Sequence, residues 1–349
     1  CFEDNWITEG PKAAEFSGKL LEIIGSKYGV FAPNGTLSLY LALRAMGIGP
    51  GDEVIVPDFT FIASANAVEM VGARPVFADV GCHDLQLRID DCDRVRTDKT
   101  KAIMPVHIFG FAANMTEIMA YAKEHDLMVI EDAAQALSIN WDGKGCGSFG
   151  DTGSFSFFAD KTLTTCEGGF VTTDSEEIYN KLLYLRNQGR LNRGTFRHPE
   201  IGYNFRMNDI QMAIGLAQLK KLPEIVERKQ RNYSLYREAL AGIEQIEVLS
   251  PPEKTEPYVP FRVVLRTREE SSRNLMGFME MNGVETRTFF YPLHLQPCFD
   301  IWKEDKRYDP KHFEVTEHAY NHGVCLPSFP ALTEQQILYV CDTIKEYYK

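Results

Sequence analysis

Three short segments hold residues whose types and spacing can do chemistry. Asn34-Gly35-Thr36 opens an apolar helical pattern. Backbone N–H groups at a helix N-terminus, a glycine that permits close approach and a threonine hydroxyl together make a phosphate cradle; a glycine-containing helix cap is the plainer alternative. Glu131-Asp132-Ala133-Ala134-Gln135 closes an apolar run. A strand ending in an acidic pair delivers one carboxylate to the carboxyl edge of a sheet, where ligands bind in open α/β folds, while its neighbour faces the other way. Helix capping by Asp132 is the alternative there. Ser156-Phe157-Phe158-Ala159-Asp160-Lys161 precedes Cys166-Glu167-Gly168-Gly169. A lysine on a loop between two apolar strands is well placed for Schiff-base chemistry once partial burial favours loss of its proton; an ordinary surface lysine is the alternative.

Taken as a set, a phosphate cradle, a strand-end carboxylate and a later loop lysine are the three contacts that pyridoxal phosphate needs. The cradle holds the phosphate, the carboxylate keeps the pyridine nitrogen protonated and the lysine binds the carbonyl carbon. Phe61, just beyond the strand stop at Pro57, offers an aromatic face for the ring.

The elements that must position these residues can be read from periodicity. Helical patterns at Leu37–Met46, Ala63–Val71 and Thr116–Glu124 alternate with short apolar runs at Glu53–Pro57, Arg74–Asp79, Lys101–Val106 and Leu127–Asp132. Such alternation predicts an α/β fold with a mostly parallel sheet. Ser154–Phe157 and Gly169–Thr173 alternate at period two and read as neighbouring strands. Helices are expected at Ser175–Asn187, at Asn208–Val226 with a stop near Pro223, and at Glu227–Leu240. Past Pro251-Pro252 come a strand (Val259–Arg266), a helix (Arg273–Met281), a further strand and a terminal helix from Thr333. These place a large domain at 1–236 and a smaller C-terminal α+β domain at 237–349.

The 349 residues carry 37 basic and 49 acidic side chains, a net charge of −12, with no run of Lys or Arg. A nucleic-acid backbone or an anionic membrane surface is therefore a poor partner, and an anionic ligand must be held locally. No stretch approaches the ~18–20 apolar residues of a membrane span. The eight cysteines show no CxxC pair, which argues against a zinc site or a disulfide framework and for a reduced, cytoplasmic chain. The chain opens at Cys1 without a signal-peptide pattern, and a short preceding piece is expected to be missing.

With these segments in order, the sequence resembles the sugar-nucleotide aminotransferases of the DegT type, within fold-type I of the pyridoxal-phosphate enzymes. The resemblance rests on Asn5-Trp6-Ile7-Thr8-Glu9-Gly10-Pro11, Asn34-Gly35-Thr36, Gly51 through Pro57, Glu131 through Gln135, Ser156 through Lys161, Glu167-Gly168-Gly169, Gly202 through Met207 and Phe290-Tyr291-Pro292-Leu293-His294. It implies that Lys161 is the Schiff-base lysine and proton shuttle, that Asp132 partners the pyridine nitrogen and that Gln135 bonds the ring hydroxyl. Gly35, Thr36 and Ser156 match phosphate contacts, and Phe61 the stacking aromatic. Asn204 matches a residue that reaches the phosphate from the partner subunit, which implies a homodimer. Two positions depart from the pattern. Leu37 follows the threonine where a small residue is usual, and Asp160 precedes the lysine where an uncharged residue is common, so its carboxylate is expected to point away. Relatives with histidine at the lysine position are dehydratases; Lys161 implies amino transfer, with glutamate as the usual donor.

The opening segment resembles enzymes that aminate a 4-keto position, and Arg197 through Asn204 is similar to the perosamine-synthase branch of that family. The expected acceptor is a 4-keto-6-deoxyhexose linked to GDP, UDP or dTDP; a 3-keto sugar, a keto-inositol, or a non-catalytic regulator that binds the cofactor are the alternatives. Arg287, Tyr291 and His294 are candidate substrate groups, because their run resembles a segment that closes over the sugar, with a structural role as the alternative for His294. Arg190, Arg193 and Arg197 either meet the diphosphate or form a solvated loop. Trp6 either lines the sugar pocket or anchors the terminus.

Overall fold

The computed structural model describes residues 1, 7–190 and 196–349. The chain runs α1 (Pro11–Ile24), β1 (Tyr28–Ala32), α2 (Gly35–Ala45), β2 (Glu53–Pro57), α3 (Ala63–Met70), β3 (Arg74–Ala78), α4 (Ile89–Val95), β4 (Thr100–Ile103), α5 (Met115–Glu124) and β5 (Met128–Asp132). A hairpin of β6 (Asn140–Trp141) and β7 (Lys144–Gly145) leads to β8 (Thr152–Ser156), β9 (Gly169–Thr173), α6 (Glu176–Leu185), α7 (Asp209–Leu219) and α8 (Leu222–Ala239). The remainder is β10 (Ile246–Val248), β11 (Val263–Thr267), α9 (Ser272–Met281), β12 (Arg287–Thr288), α10 (Glu314–His322), β13 (Gly323–Leu326) and α11 (Glu334–Tyr347).

A seven-stranded sheet in the order β1-β9-β8-β5-β4-β2-β3 forms the larger lobe. The five strands from β8 to β3 are parallel, and β9 is antiparallel to both of its neighbours. Every residue of β2 is buried, as a parallel strand covered on both faces requires. Its side chains alternate between two cores: Ile55 joins Val76, Ile103 and Val129, whereas Val54 and Val56 join Phe77, Met104 and Ile130. The smaller lobe is the antiparallel sheet β10-β11-β13-β12, whose core gathers Tyr236 of α8, Met279 of α9 and Ile344 of α11. Phe59, Phe109 and Phe289 form an apolar cluster where the lobes meet. Among the described residues no helix is long and apolar enough to cross a membrane.

Three local readings are corrected. The helices expected to part near Pro223 part at Lys220-Lys221, and Pro223 sits in the first turn of α8. Proline is accommodated there because its missing N–H would have had no intrahelical acceptor. α8 then runs unbroken through residue 236, and the chain passes along it from one sheet to the other. The strand expected from Val259 begins at Val263, because the Phe261 N–H donates instead to the Phe109 carbonyl of the larger lobe at 3.0 Å. The run expected through Val106 stops pairing as β4 at Ile103, and Val106 bridges Asp132 instead.

Candidate active site

The parallel strands deliver their carboxyl ends to one cavity of about 710 Å³, lined among others by Gly35, Thr36, Phe61, Asp132, Gln135, Ser156 and Lys161. At its floor Asn34 caps α2 by accepting from the Leu37 N–H at 2.9 Å. That cap leaves the amides of Gly35 and Thr36 without an acceptor among the described residues, which is what an anion site at a helix N-terminus requires. Two glycines permit this packing. A Cβ on Gly35 would lie 2.8 Å from the Ser156 Cβ, and one on Gly169 would lie 2.3 Å from the Asn34 carbonyl oxygen. Leu37 itself lines the cavity.

The acidic pair at the end of β5 divides as strand alternation predicts. Glu131 is fully buried and accepts the N–H groups of Gly147, Phe149 and Gly150 at 2.6–2.8 Å. His107 Nε2 lies 3.0 Å from it, and the Ala113 N–H donates to His107 Nδ1, so Nε2 carries the ring proton and donates to Glu131. Asp132 faces the cavity, with Oδ2 accepting from Ser64 Oγ at 2.7 Å and Oδ1 from the Ala134 N–H at 3.1 Å. The carboxylate is thereby fixed in place before any ligand arrives.

Gln135 Oε1 accepts from the Phe109 N–H at 2.6 Å, which leaves its Nε2 donors for a ligand. Phe109 adopts the left-handed region at φ 57°, a conformation that costs a non-glycine residue free energy and is here held by packing on Phe59, Phe289 and Phe290. Phe61 is 57% exposed and meets Phe290 edge-on, so one face stays open to the cavity.

Lys161 sits on the loop between β8 and β9, its Nζ 4.5 Å from the centroid of the Phe261 ring. Burial holds its ammonium below the ordinary lysine range; Asp160 and Asp132 pull it back upward and Arg262 pushes it down. An amine so placed loses its proton more easily than a surface lysine, the condition for a nucleophile or base near neutral pH.

The chain matches the DegT/DnrJ/EryC1/StrS aminotransferase family over residues 1–345. It is 38% identical to the GDP-perosamine synthase of Escherichia coli O157:H7 over 349 residues, covering 100% of this chain and 93% of that protein. It is also 38% identical to a UDP-N-acetyl-3-dehydro-alpha-D-glucosamine 3-aminotransferase of Acidithiobacillus ferrooxidans over 339 residues, 96% of this chain and 88% of the other. The structure superposes on that of DesV from S. venezuelae with a TM-score of 0.92 at 30% identity, covering 100% of this chain and 92% of DesV. The chain belongs to this family. It is a pyridoxal-phosphate-dependent sugar-nucleotide aminotransferase of the DegT type. The donor set agrees with that cofactor, since free helix amides, a fixed carboxylate and a lysine of lowered proton affinity surround one cavity.

Not every expected site residue of this DegT-type enzyme lines the cavity. Arg287, on β12, does so and is exposed. Tyr291 lies outside the lining, 41% exposed, with its ring edge-on to Tyr320. His294 departs most from the expectation of a substrate contact. It is buried, its Nδ1 lies 2.7 Å from Asp58 and its Nε2 3.3 Å from Glu317, and its ring stacks on Phe313. Both nitrogens are engaged by carboxylates, which leaves the ring a structural tie in this arrangement. Asn204 accepts from Arg206 at 3.0 Å and lines a separate depression of about 1000 Å³ with Arg186 and Arg190. Arg197 is exposed; Trp6 and Arg193 lie outside the described residues. Asp160 does not point away from the site: it lines the cavity and pairs with Arg262 at 2.8 Å.

Sequence reasoning passed over Ser64, which fixes Asp132, and Phe261 and Arg262, which flank Lys161. The last two sit in an apolar run that reads as strand interior. The tie of Phe261 to Phe109 across the lobes, together with Lys229 on the Pro260 and Phe261 carbonyls, holds them at the cavity.

Proposed function

We propose that this enzyme moves an amino group from glutamate to the C4 ketone of a 4-keto-6-deoxyhexose carried on a nucleoside diphosphate. The observation that carries the reading is Lys161, an amine of lowered proton affinity that forms no ion pair among the described residues and shares a cavity with the fixed carboxylate of Asp132. The 4-position is supported by end-to-end similarity to proteins named GDP-perosamine synthase. A 3-keto acceptor is the second reading, favoured by the equal identity to the 3-aminotransferase relative.

In this reading Gly35, Thr36 and Ser156 would hold the cofactor phosphate, Asp132 the ring nitrogen, Gln135 the ring hydroxyl and Phe61 the ring face. Bound there, pyridoxal phosphate supplies an electron sink for the charge left when a proton leaves the amino-bearing carbon. Lys161 Nζ takes that proton from the donor and, in the reverse sense, delivers one to the sugar carbon that becomes aminated. Asp132, held by Ser64 and Ala134, would keep the ring nitrogen protonated. Arg287 is offered to the acceptor as an exposed cation at the cavity wall. We further propose a homodimer in which Asn204 of each subunit serves the partner's phosphate site, a role supported by its position outside the Lys161 cavity.

The test is the visible absorbance of the purified protein before and after glutamate, followed by nucleotide-linked 4-keto and 3-keto sugars. A cofactor band that bleaches with glutamate and returns with a 4-keto sugar supports the proposal. Return only with a 3-keto sugar favours the second reading, and no band even after adding pyridoxal phosphate removes both.

A further inference from the structure

Asp160 stands one residue before Lys161, and its carboxylate accepts from the Arg262 guanidinium at 2.8 Å. The partners come from different lobes: Asp160 from the loop after β8, Arg262 from the segment that enters β11. Both line the cavity that contains Lys161. The Lys161 Nζ and the Arg262 guanidinium carbon lie 4.5 and 5.0 Å from the centroid of the same Phe261 ring. Behind them, buried Lys229 donates to the carbonyl oxygens of Pro260 and Phe261 at 3.1 and 3.4 Å, which pins the segment carrying Phe261 and Arg262.

A carboxylate beside a lysine favours the ammonium form, and that form is neither nucleophile nor base. Asp160 left to itself would therefore hold on Lys161 the proton that the reaction needs removed. A guanidinium is charged at every working pH, so it can occupy that carboxylate without itself titrating. The other charged groups around the amine are Asp132, already bonded to Ser64 and Ala134, Glu167 and Arg287 in the cavity lining, and Lys229, which burial first and Arg262 second bring down to about 8.

We propose that Arg262 is a positioning residue for Lys161: by holding the Asp160 carboxylate across the lobes, it offsets that charge beside the amine and leaves the amine available for chemistry. This rests on the reading of Lys161 as the reacting lysine. Because the partners belong to different lobes, packing of the smaller lobe on the larger one is what frees the amine.

The test uses the full-length protein saturated with pyridoxamine phosphate, in which Lys161 is not covalently engaged. Lys161 is labelled with a trace amine-acylating reagent across a pH series and quantified by mass spectrometry. Arg262→Gln is expected to raise the labelling midpoint by about one pH unit, and adding Asp160→Asn to it is expected to restore the wild-type midpoint. Should Arg262→Gln not fold, Asp160→Asn alone carries the test, with a midpoint at or below that of the wild type. An unchanged midpoint in Arg262→Gln, a double variant that behaves like the single one, or a raised midpoint in Asp160→Asn overturns the proposal. Failure of the underlying reading looks different: a wild-type protein that binds no cofactor.

Discussion

His294 and Asp58 are joined twice. The carboxylate of Asp58, which directly follows β2, accepts from the His294 backbone N–H at 2.7 Å through Oδ1 and lies 2.7 Å from Nδ1 through Oδ2. Glu317 holds the other ring nitrogen. The segment after β12 is thus fastened to the end of β2, next to the edge strand of the larger lobe. Burial opposes the imidazolium, but the hydrogen bonds and charges of Asp58 and Glu317 outweigh it, so the His294 pKa is raised above 6.5. A raised pKa means that the stabilisation is complete below the unfolded value and is lost as pH climbs through the folded one. His294→Ala is therefore expected to lower unfolding free energy by about 3 kcal/mol near pH 6, with the gap narrowing at alkaline pH. Urea unfolding of both proteins across a pH series checks this; a pH-independent gap would contradict the charged tie.

Ser64 bears on chemistry through its hydrogen bond to Asp132 at 2.7 Å. A hydrogen bond to a charged group is worth about 1.5–3 kcal/mol, but the Ala134 N–H remains as a second donor in the variant. Ser64→Ala is expected to slow both half-reactions about tenfold at the lower end of that range. Asp132→Asn, which removes the charge itself, is expected to cost on the order of 10²–10⁴. Stopped-flow absorbance of each half-reaction measures the two. Equal effects from the two substitutions would show that Ser64 does more than fix a carboxylate.

The groups legible in the sequence are those whose signal is local. Asp132 ends a strand, Gly35 opens a helix and Lys161 follows an alternating apolar run, and each reaches the cavity because its own element points there. Arg262 and Phe261 carry no such signal. They lie in a run that reads as a strand, and their place is set by a backbone bond to Phe109 and by Lys229, both from distant parts of the chain. His294 misleads for the same reason. Its neighbours suggest a loop over the sugar, whereas Asp58 and Glu317, neither adjacent in sequence, draw the ring inward. The helix break before Pro223 is a smaller case, since a proline in a helical pattern reads equally well as a stop or as a first turn.

Gly35 separates steric from conformational requirements, because the demand on it is close approach to Ser156 and not a left-handed backbone. A methyl group there must displace the Ser156 Cβ or the start of α2. Gly35→Ala is expected to cost about 1–3 kcal/mol, as overpacking does, and to weaken cofactor binding by moving the Gly35 and Thr36 amides. Titration of the protein with pyridoxal phosphate, followed by absorbance, gives the affinity. Unfolding of the cofactor-free protein separates out the packing cost. An affinity equal to wild type would mean that the phosphate is not held at this helix end.

Asn204 supplies the test of shared sites. In the proposed dimer, the site containing Lys161 of one subunit is completed by Asn204 of the other. Lys161→Ala and Asn204→Ala are each expected to be impaired as homodimers, the first abolished and the second weakened in cofactor affinity. Mixed after partial unfolding and refolding, the two form hybrids in which one site has lost both groups. The other site then has an intact lysine and an intact partner asparagine. Activity at limiting cofactor should therefore recover above that of either parent. If Asn204 serves its own subunit, every site in the hybrid lacks one group or the other. The mixture would then stay at the average of the parents, and the same outcome with a monomeric elution profile would remove the dimer as well.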